Sequence, residues 1–195
     1  MKKCIFLPFI VIFSSTCLWG QVFIGPKMGA SLSRYTSLDS ETDQKYYTTS
    51  FMPGFLGGIT FEIPFNSTLS LQAEGYFVQK GSSVNRHSRE NDTKYVCIHE
   101  SLNYIEIPVL FKARIQGRPI GGFAFAGPAI GYGFGGNRRI GKPKSELEEK
   151  VTFGNNEEFD DYKNLDIGVQ LGIGMSVELG FGELVLDGRL VQGLS

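Results

Sequence analysis

The stretch LDIGVQLGIGMSVEL, from Leu165 to Leu179, alternates without a break. Its odd positions are Leu165, Ile167, Val169, Leu171, Ile173, Met175, Val177 and Leu179, all apolar. Its even positions are Asp166, Gly168, Gln170, Gly172, Gly174, Ser176 and Glu178, all small or polar. A period of two puts each set on one face of a β-strand, whereas a helix would mix them on every face. Ordinary strands average about 5–6 residues, and a strand that crosses a bilayer at a tilt needs about 9–11. This one is long enough to cross.

Six more segments repeat the pattern on either side. Val22–Arg34 sets Val22, Ile24, Met28, Ala30 and Leu32 against Gly25, Lys27, Gly29, Ser31 and Ser33. Phe51–Ile63 sets Phe51, Phe55, Ile59, Phe61 and Ile63 against Gly54, Gly58, Thr60 and Glu62. Leu69–Lys80 sets Leu71, Ala73 and Phe77 against Ser70, Gln72, Glu74, Tyr76 and Lys80. Tyr104–Arg114 sets Ile105, Ile107, Val109, Phe111 and Ala113 against Tyr104, Glu106, Leu110, Lys112 and Arg114. Gly122–Gly135 alternates glycines with Ala126, Ile130, Tyr132 and Phe134, and Leu184–Leu194 sets Leu184, Leu186 and Leu190 against Asp187 and Arg189. The spaces between them alternate in length. Tyr35–Ser50, Ser82–His99 and Gly136–Asn164 are long and polar; Pro64–Thr68, Ile115–Ile120 and Gly180–Glu183 are short and carry turn residues. Long loops at one end and tight turns at the other are the habit of outer-membrane barrels. The expected fold is all-β, an antiparallel up-and-down transmembrane β-barrel, with seven strands visible of a presumed eight.

Residues 1–20 read as an export signal, and residues 21–195 as the barrel domain. Met1-Lys2-Lys3 is the positive start, Ile5–Phe13 a short apolar core, and Gly20 a small residue at the cut. The apolar core is too short for a spanning helix. A lipidated Cys17 fits poorly, because Ser14-Ser15-Thr16 is not the usual run before such a cysteine. Cys4 and Cys17 fall within the signal, so Cys97 stands alone in the processed chain and forms no internal disulfide. The long loops then fall outside the cell and the turns on the periplasmic side.

The bulk composition agrees. The 195 residues include 25 Gly and 16 Phe, with aromatics at 13%. Disordered chains are poor in aromatics, and glycine without a three-residue period is not collagen. The 19 Lys+Arg and 20 Asp+Glu nearly cancel, which argues against a nucleic-acid partner.

Alternation alone does not separate a soluble barrel, aliphatic inside, from a membrane barrel, aliphatic toward lipid. Strand length and loop asymmetry favour lipid. So does the polar face, which is mostly Gly and Ser with scattered charges; glycine weakens a solvent-exposed strand but makes room inside a narrow lumen. The expected lumen charges are Lys27, Glu62, Glu74, Glu106, Lys112, Asp166, Glu178, Asp187 and Arg189, with Lys80 and Arg114 on the same face. Buried charges need partners, and this mixture can supply them. Glu74, Glu106 and Glu178 are expected within reach of Lys27, Lys112 or Arg189.

An ordered set of short motifs adds a resemblance. Gly25-Pro26-Lys27-Met28-Gly29 is followed by Pro53-Gly54-Phe55, by Leu71-Gln72-Ala73-Glu74 running to Gln79-Lys80-Gly81, and by Tyr104-Ile105-Glu106-Ile107-Pro108. Ala126-Gly127-Pro128 and Asp166-Ile167-Gly168 come next. Together they resemble the PorT-like family of outer-membrane β-barrels of Bacteroidetes-type bacteria, over essentially the whole processed chain. The resemblance implies an eight-stranded barrel, a further loop and a closing strand ending in an aromatic residue. With seven strands in view, a truncated chain is the expectation, and direct pairing of the first and seventh strands the alternative. Some relatives assist secretion of other proteins.

No catalytic constellation is visible. His87 lies in a charged polar loop, and His99 beside Glu100 at the start of a strand, with no Ser or Asp at a telling spacing. Gly131–Gly136 is followed by no Lys-Ser/Thr and opens no helix, so it is not a phosphate cradle. The acidic run Glu157-Glu158-Phe159-Asp160-Asp161 reads as a solvated loop rather than a metal site. The chain is therefore expected to be no enzyme, to need no cofactor or metal, and to sit in the bacterial outer membrane. Its expected role is structural or interactive, through its external loops or in export or cell-envelope assembly. Outer-membrane lipid, and secretion or envelope proteins, are the expected partners. The alternatives are a small passive or gated pore and, behind it, a hydrolase at the barrel rim.

Overall fold

The computed structural model describes residues 3–6, 9–15, 22–36, 47–86, 96–115, 117, 119–142, 145–154, 164–180 and 182–194. Ten strands form one sheet. They are β1 (Lys3–Phe6), β2 (Phe9–Ser15), β3 (Phe23–Thr36), β4 (Tyr47–Pro64), β5 (Leu69–Arg86), β6 (Val96–Ile115), β7 (Ile120–Lys142), β8 (Ser145–Val151), β9 (Leu165–Glu178) and β10 (Gly182–Gly193). Each described pairing is antiparallel, and the pairings run round a closed ring: β2, β3, β4, β5, β6, β7, β9, β10 and back to β2. This is the all-β, up-and-down barrel that the alternation implied.

All seven segments read from the sequence are strands of the ring. The eighth place is a different matter. β3 and β10 do not pair with each other among the described residues. β1 and β2 lie between them, in the stretch read as the export signal, and bond to both. The physical reason is backbone satisfaction. Two edge strands at membrane depth expose N–H and C=O groups that lipid cannot meet, and an extended apolar segment can meet them. The loop Gly136–Asn164 does contain a strand, β8, but among the described residues it pairs with β7 alone and extends the sheet beyond the ring.

Strands also run further into the long connections than the alternation indicated. β5 continues to Arg86, β6 begins at Val96 and β7 reaches Lys142. The turns at the other end are tight. Asn66 Oδ1 accepts from the backbone N–H of Thr68 at 2.8 Å and of Leu69 at 2.7 Å. Between β9 and β10, Leu179 and Gly182 exchange backbone bonds around Gly180, whose φ of 50° is a left-handed conformation that glycine adopts without strain.

Candidate functional site

The two faces of the wall have opposite chemistry. Ile24, Met28, Phe55, Ile59, Ile107, Phe111, Ile130, Leu171 and Ile173 are exposed on the outside, and Ile173 and Phe111 are 72% and 65% accessible. Lys27, Glu74, Glu106, Lys112, Asp187 and Arg189 are buried inside. A soluble barrel would show the reverse. An apolar belt of this extent is stable against lipid and a liability in water.

Inside, the polar side chains form one connected network. Nearest the turns, Arg114 donates to Glu62 at 2.7 and 2.9 Å and to Glu183 at 2.8 Å. Lys112 donates to Glu62 at 2.9 Å and to Gln72 at 3.0 Å, and Gln72 donates to Glu74 at 2.5 Å. Glu74 is the hub. It pairs with Lys27 and with Arg189, the latter at 2.8 Å, while Arg189 also grips Asp187 at 2.9 Å. Arg189 passes to Gln170 at 3.1 Å, Gln170 to the Tyr76 hydroxyl at 2.7 Å, and that hydroxyl donates to Glu106 at 2.6 Å. Lys80 closes the chain against Glu106 at 2.5 Å and Asp166 at 2.9 Å. Cation and carboxylate thus alternate through the lumen, so that each buried charge has a partner of opposite sign.

Eight of the nine residues assigned to the lumen lie in this network. Glu178, the last residue of β9, is exposed at the turn end, where it lines a vestibule of about 280 Å³ with Arg114, Gly121, Ser176 and Glu183 and donates its backbone N–H to Pro119. Glu106 reaches Lys80 rather than Lys27, Lys112 or Arg189.

The sequence reading placed Tyr76, Tyr104 and Leu110 on the inward face but missed Phe123 and Phe125 there. Lys27 lies 4.6 Å from the Tyr76 ring centre, Lys80 4.7 Å from Tyr104, Lys112 4.1 Å from Phe123, and Arg189 4.8 Å from Phe125. Each of these cations is therefore met by a π-face as well as by a carboxylate. Phe123 and Phe125 find room against the glycines of β9: a Cβ added at Gly174 would sit 2.3 Å from the Phe123 ring, and at Gly172 2.4 Å from the Phe125 ring. The signal was present, because Phe123 and Phe125 share the odd face of β7 with Gly131 and Gly133. Among the charges, Leu56, Val78, Leu102, Tyr104 and Val151 belong to one buried apolar cluster. Phe153, just after β8, packs edge-on against Tyr104 at 5.7 Å and adds to that cluster.

The external end carries its own pairs. Arg138 bonds Glu100 at 2.7 Å, and Arg139 bonds Glu148 across the β7–β8 hairpin at 3.3 Å. His99 is exposed on β6, opposite Ser83 and Arg139, and no hydrogen bond joins it to the Ser83 side chain. His87 and Glu157–Asp161 lie outside the described residues. Among the described residues, no group of three or more His, Cys, Asp or Glu is placed to hold a metal ion.

A ring of antiparallel strands, apolar outward and charged inward, defines an integral barrel of the outer membrane. The chain belongs to the outer membrane protein beta-barrel domain family, which it matches over residues 15–195. No curated protein matches it. Among solved structures, the translocator domain of the autotransporter NalP from Neisseria meningitidis is similar, at 8% sequence identity and a TM-score of 0.44. That similarity covers 98% of this chain and 87% of the other.

Proposed function

We propose that this protein is a sealed outer-membrane barrel with an interaction role, in which the ring anchors external strands that bind an envelope or secretion partner. The observation that carries this reading is the filled lumen. Side chains bridge it at successive levels from Glu183 to Asp166, and a buried apolar cluster with Phe153 packed against it fills the space among them. A ring of about eight strands leaves only enough interior for its own side chains. A passive pore would need a continuous water column past these side chains. What is offered outward instead is sheet: β5, β6, β7 and β8 continue past the ring as paired strands.

The proposal includes three finer statements. Residues 1–20 direct export and are removed, the family affiliation is PorT-like, and the barrel is not an enzyme. Exposed His99, with no hydrogen bond to Ser83, favours the last of these over a rim hydrolase. Planar-bilayer recording on purified protein tests the sealed reading. The expected trace is flat; steady unitary conductance would replace the proposal with a pore. Intact mass of the protein from outer membranes tests the export signal.

A further inference from the structure

The lumen cations Lys27, Lys80, Lys112 and Arg189 each meet both a carboxylate and an aromatic face. Arg34 has the aromatic face alone. Its guanidinium lies 4.8 Å from the Phe51 ring centre. Its Nε is shut from water and meets no acceptor, and no described residue gives its side chain a hydrogen bond or a carboxylate. A buried donor left unmatched calls for a specific explanation, a bound ion among them. Arg34 stands on the lipid-facing side of β3. Met28, Ala30 and Leu32 precede it at alternate positions and are exposed, while Ser31 and Ser33 between them are buried. Phe51 is half exposed on β4, next to Met52, the partner of Ser33. Here the wall has passed the aromatic rim of the apolar belt. Phe55, Phe77 and Phe134 touch in series at 5.2 and 6.1 Å, and Phe51 lies four residues beyond Phe55 toward the long-loop end. Such girdles mark the level at which hydrocarbon gives way to headgroups.

The geometry points to a headgroup site: Arg34, backed by Phe51, binds the phosphate of an anionic lipid in the outer leaflet. The ring holds one face of the guanidinium, so the donors on its edge are left to meet an anion. Phosphate is the anion that this level of a bilayer holds, and a planar guanidinium matches it with two parallel hydrogen bonds. Basic side chains at the membrane surface are also drawn to anionic headgroups by charge. The site is continuous with the belt. Met28, Leu32 and Phe55 lie exposed below it, where the acyl chains of the same lipid run. Phe51 is on β4, the side of β3 away from the eighth position, so the clamp does not depend on which strand stands there. The assignment takes the long-loop end as the external one and is independent of whether the lumen is sealed.

Native mass spectrometry of the full protein in neutral detergent tests this. The probes are an acylated disaccharide lipid with one phosphate monoester, its dephosphorylated counterpart with the same acyl chains, and inorganic phosphate. The parent protein should retain the phosphorylated lipid about tenfold better than the dephosphorylated one, the scale of a hydrogen bond to a charged group. Arg34→Gln should reduce retention to the dephosphorylated level. Arg34→Lys should keep part of it, because lysine brings the charge without the planar fork. Arg139→Gln removes a cation already paired with Glu148 and should leave retention unchanged. Heat-modifiable migration shows that each variant is a closed barrel, and the comparison of the two lipids on the parent protein needs no variant. Equal retention of both lipids by the parent overturns the site, as does an Arg34→Gln protein that binds like the parent. An equal loss in Arg139→Gln overturns it too, by reducing the effect to general surface charge. Inorganic phosphate that displaces the lipid at matching concentration makes the ligand a free anion and overturns the lipid assignment.

Discussion

Arg189 with Glu74 and Arg139 with Glu148 are the same chemical pair in two surroundings. The first lies in the lumen at 2.8 Å with both side chains fully buried; the second bridges the external hairpin at 3.3 Å with side chains 66% and 57% accessible. Water has been removed from the first pair and must be replaced by the protein. That is why Glu74 is also bonded by Lys27 and Gln72, and why Arg189 is also bonded by Asp187 and Gln170 and lies against Phe125. The second pair keeps its water and needs nothing else. Buried ion pairs are weak evidence for stability but strong evidence for interdependence, because losing one partner strands the other.

The largest effect should therefore come from breaking the hub. Glu74→Gln leaves Lys27 and Arg189 facing each other with only Asp187 to balance them. The expected cost is about 3–5 kcal/mol, the range for removing one partner of a buried pair. Urea unfolding in lipid vesicles measures it. Adding Lys27→Met to Glu74→Gln should return part of that loss. Equal losses in the single and double variants would mean a wide, wet lumen, and the contrast with Arg139–Glu148 would collapse.

A charge on the outer face sharpens the contrast by supplying neither water nor partner. Leu171 is half exposed on β9, opposite Ala126 and Leu190. Leu171→Arg is expected to cost about 2–4 kcal/mol near the bilayer midplane. Loss of heat-modifiable migration on gels reads it out. If the variant assembled like the parent, the outward face of β9 would not be meeting lipid.

Volume is the third way to disturb the lumen without touching a charge. A Cβ at Gly172 would also lie 2.5 Å from the Gly188 carbonyl oxygen, so neither the ring nor the backbone has room to yield fully. Gly172→Val should cost about 1–3 kcal/mol, the usual price of overpacking. It should also move Arg189, whose guanidinium lies 4.8 Å from the Phe125 ring centre. Unfolding in vesicles checks the first. An unchanged stability would show that Phe125 can swing aside.

The barrel was legible in the sequence because its two solvents force opposite residues onto alternate positions, and Leu165–Leu179 records that without interruption. Most of the lumen charges were legible for the same reason: a charge on the small-residue face has only the axis to point at. Individual partners were not. Lys80 meets Glu106 and Asp166 because β5, β6 and β9 are brought to one level by stagger around the ring, which periodicity does not encode. Leu56, Val78, Leu102 and Val151 were hidden by their type, since apolar residues were assigned outward and these stand on the inward face. Parity gives a face but not a depth, so it did not show that Glu178 stands exposed at the turn end beside Arg114 and Glu183. The described occupant of the eighth position lies outside the pattern altogether, in Lys3–Phe6 and Phe9–Ser15, within the stretch whose charge and hydropathy indicate export rather than pairing.

The smallest effect is expected in the external hairpin. Arg139 and Glu148 are cross-strand partners on β7 and β8, so their side chains already lie on one face and little ordering is needed to bring them together. Against that gain, both remain hydrated and screened at physiological salt. Exposed pairs of this kind contribute about 0.2–1 kcal/mol. Glu148→Gln should therefore leave barrel stability within that range, and the small loss should vanish in high salt. The hub variant Glu74→Gln, shielded from the solution, should lose about as much in high salt as in low. A double-mutant cycle on Arg139 and Glu148 at two salt concentrations measures the coupling. A coupling as large as that of Arg189 with Glu74, and as indifferent to salt, would mean that the hairpin is buried against something in the membrane-bound protein, and the two pairs would no longer belong to different surroundings.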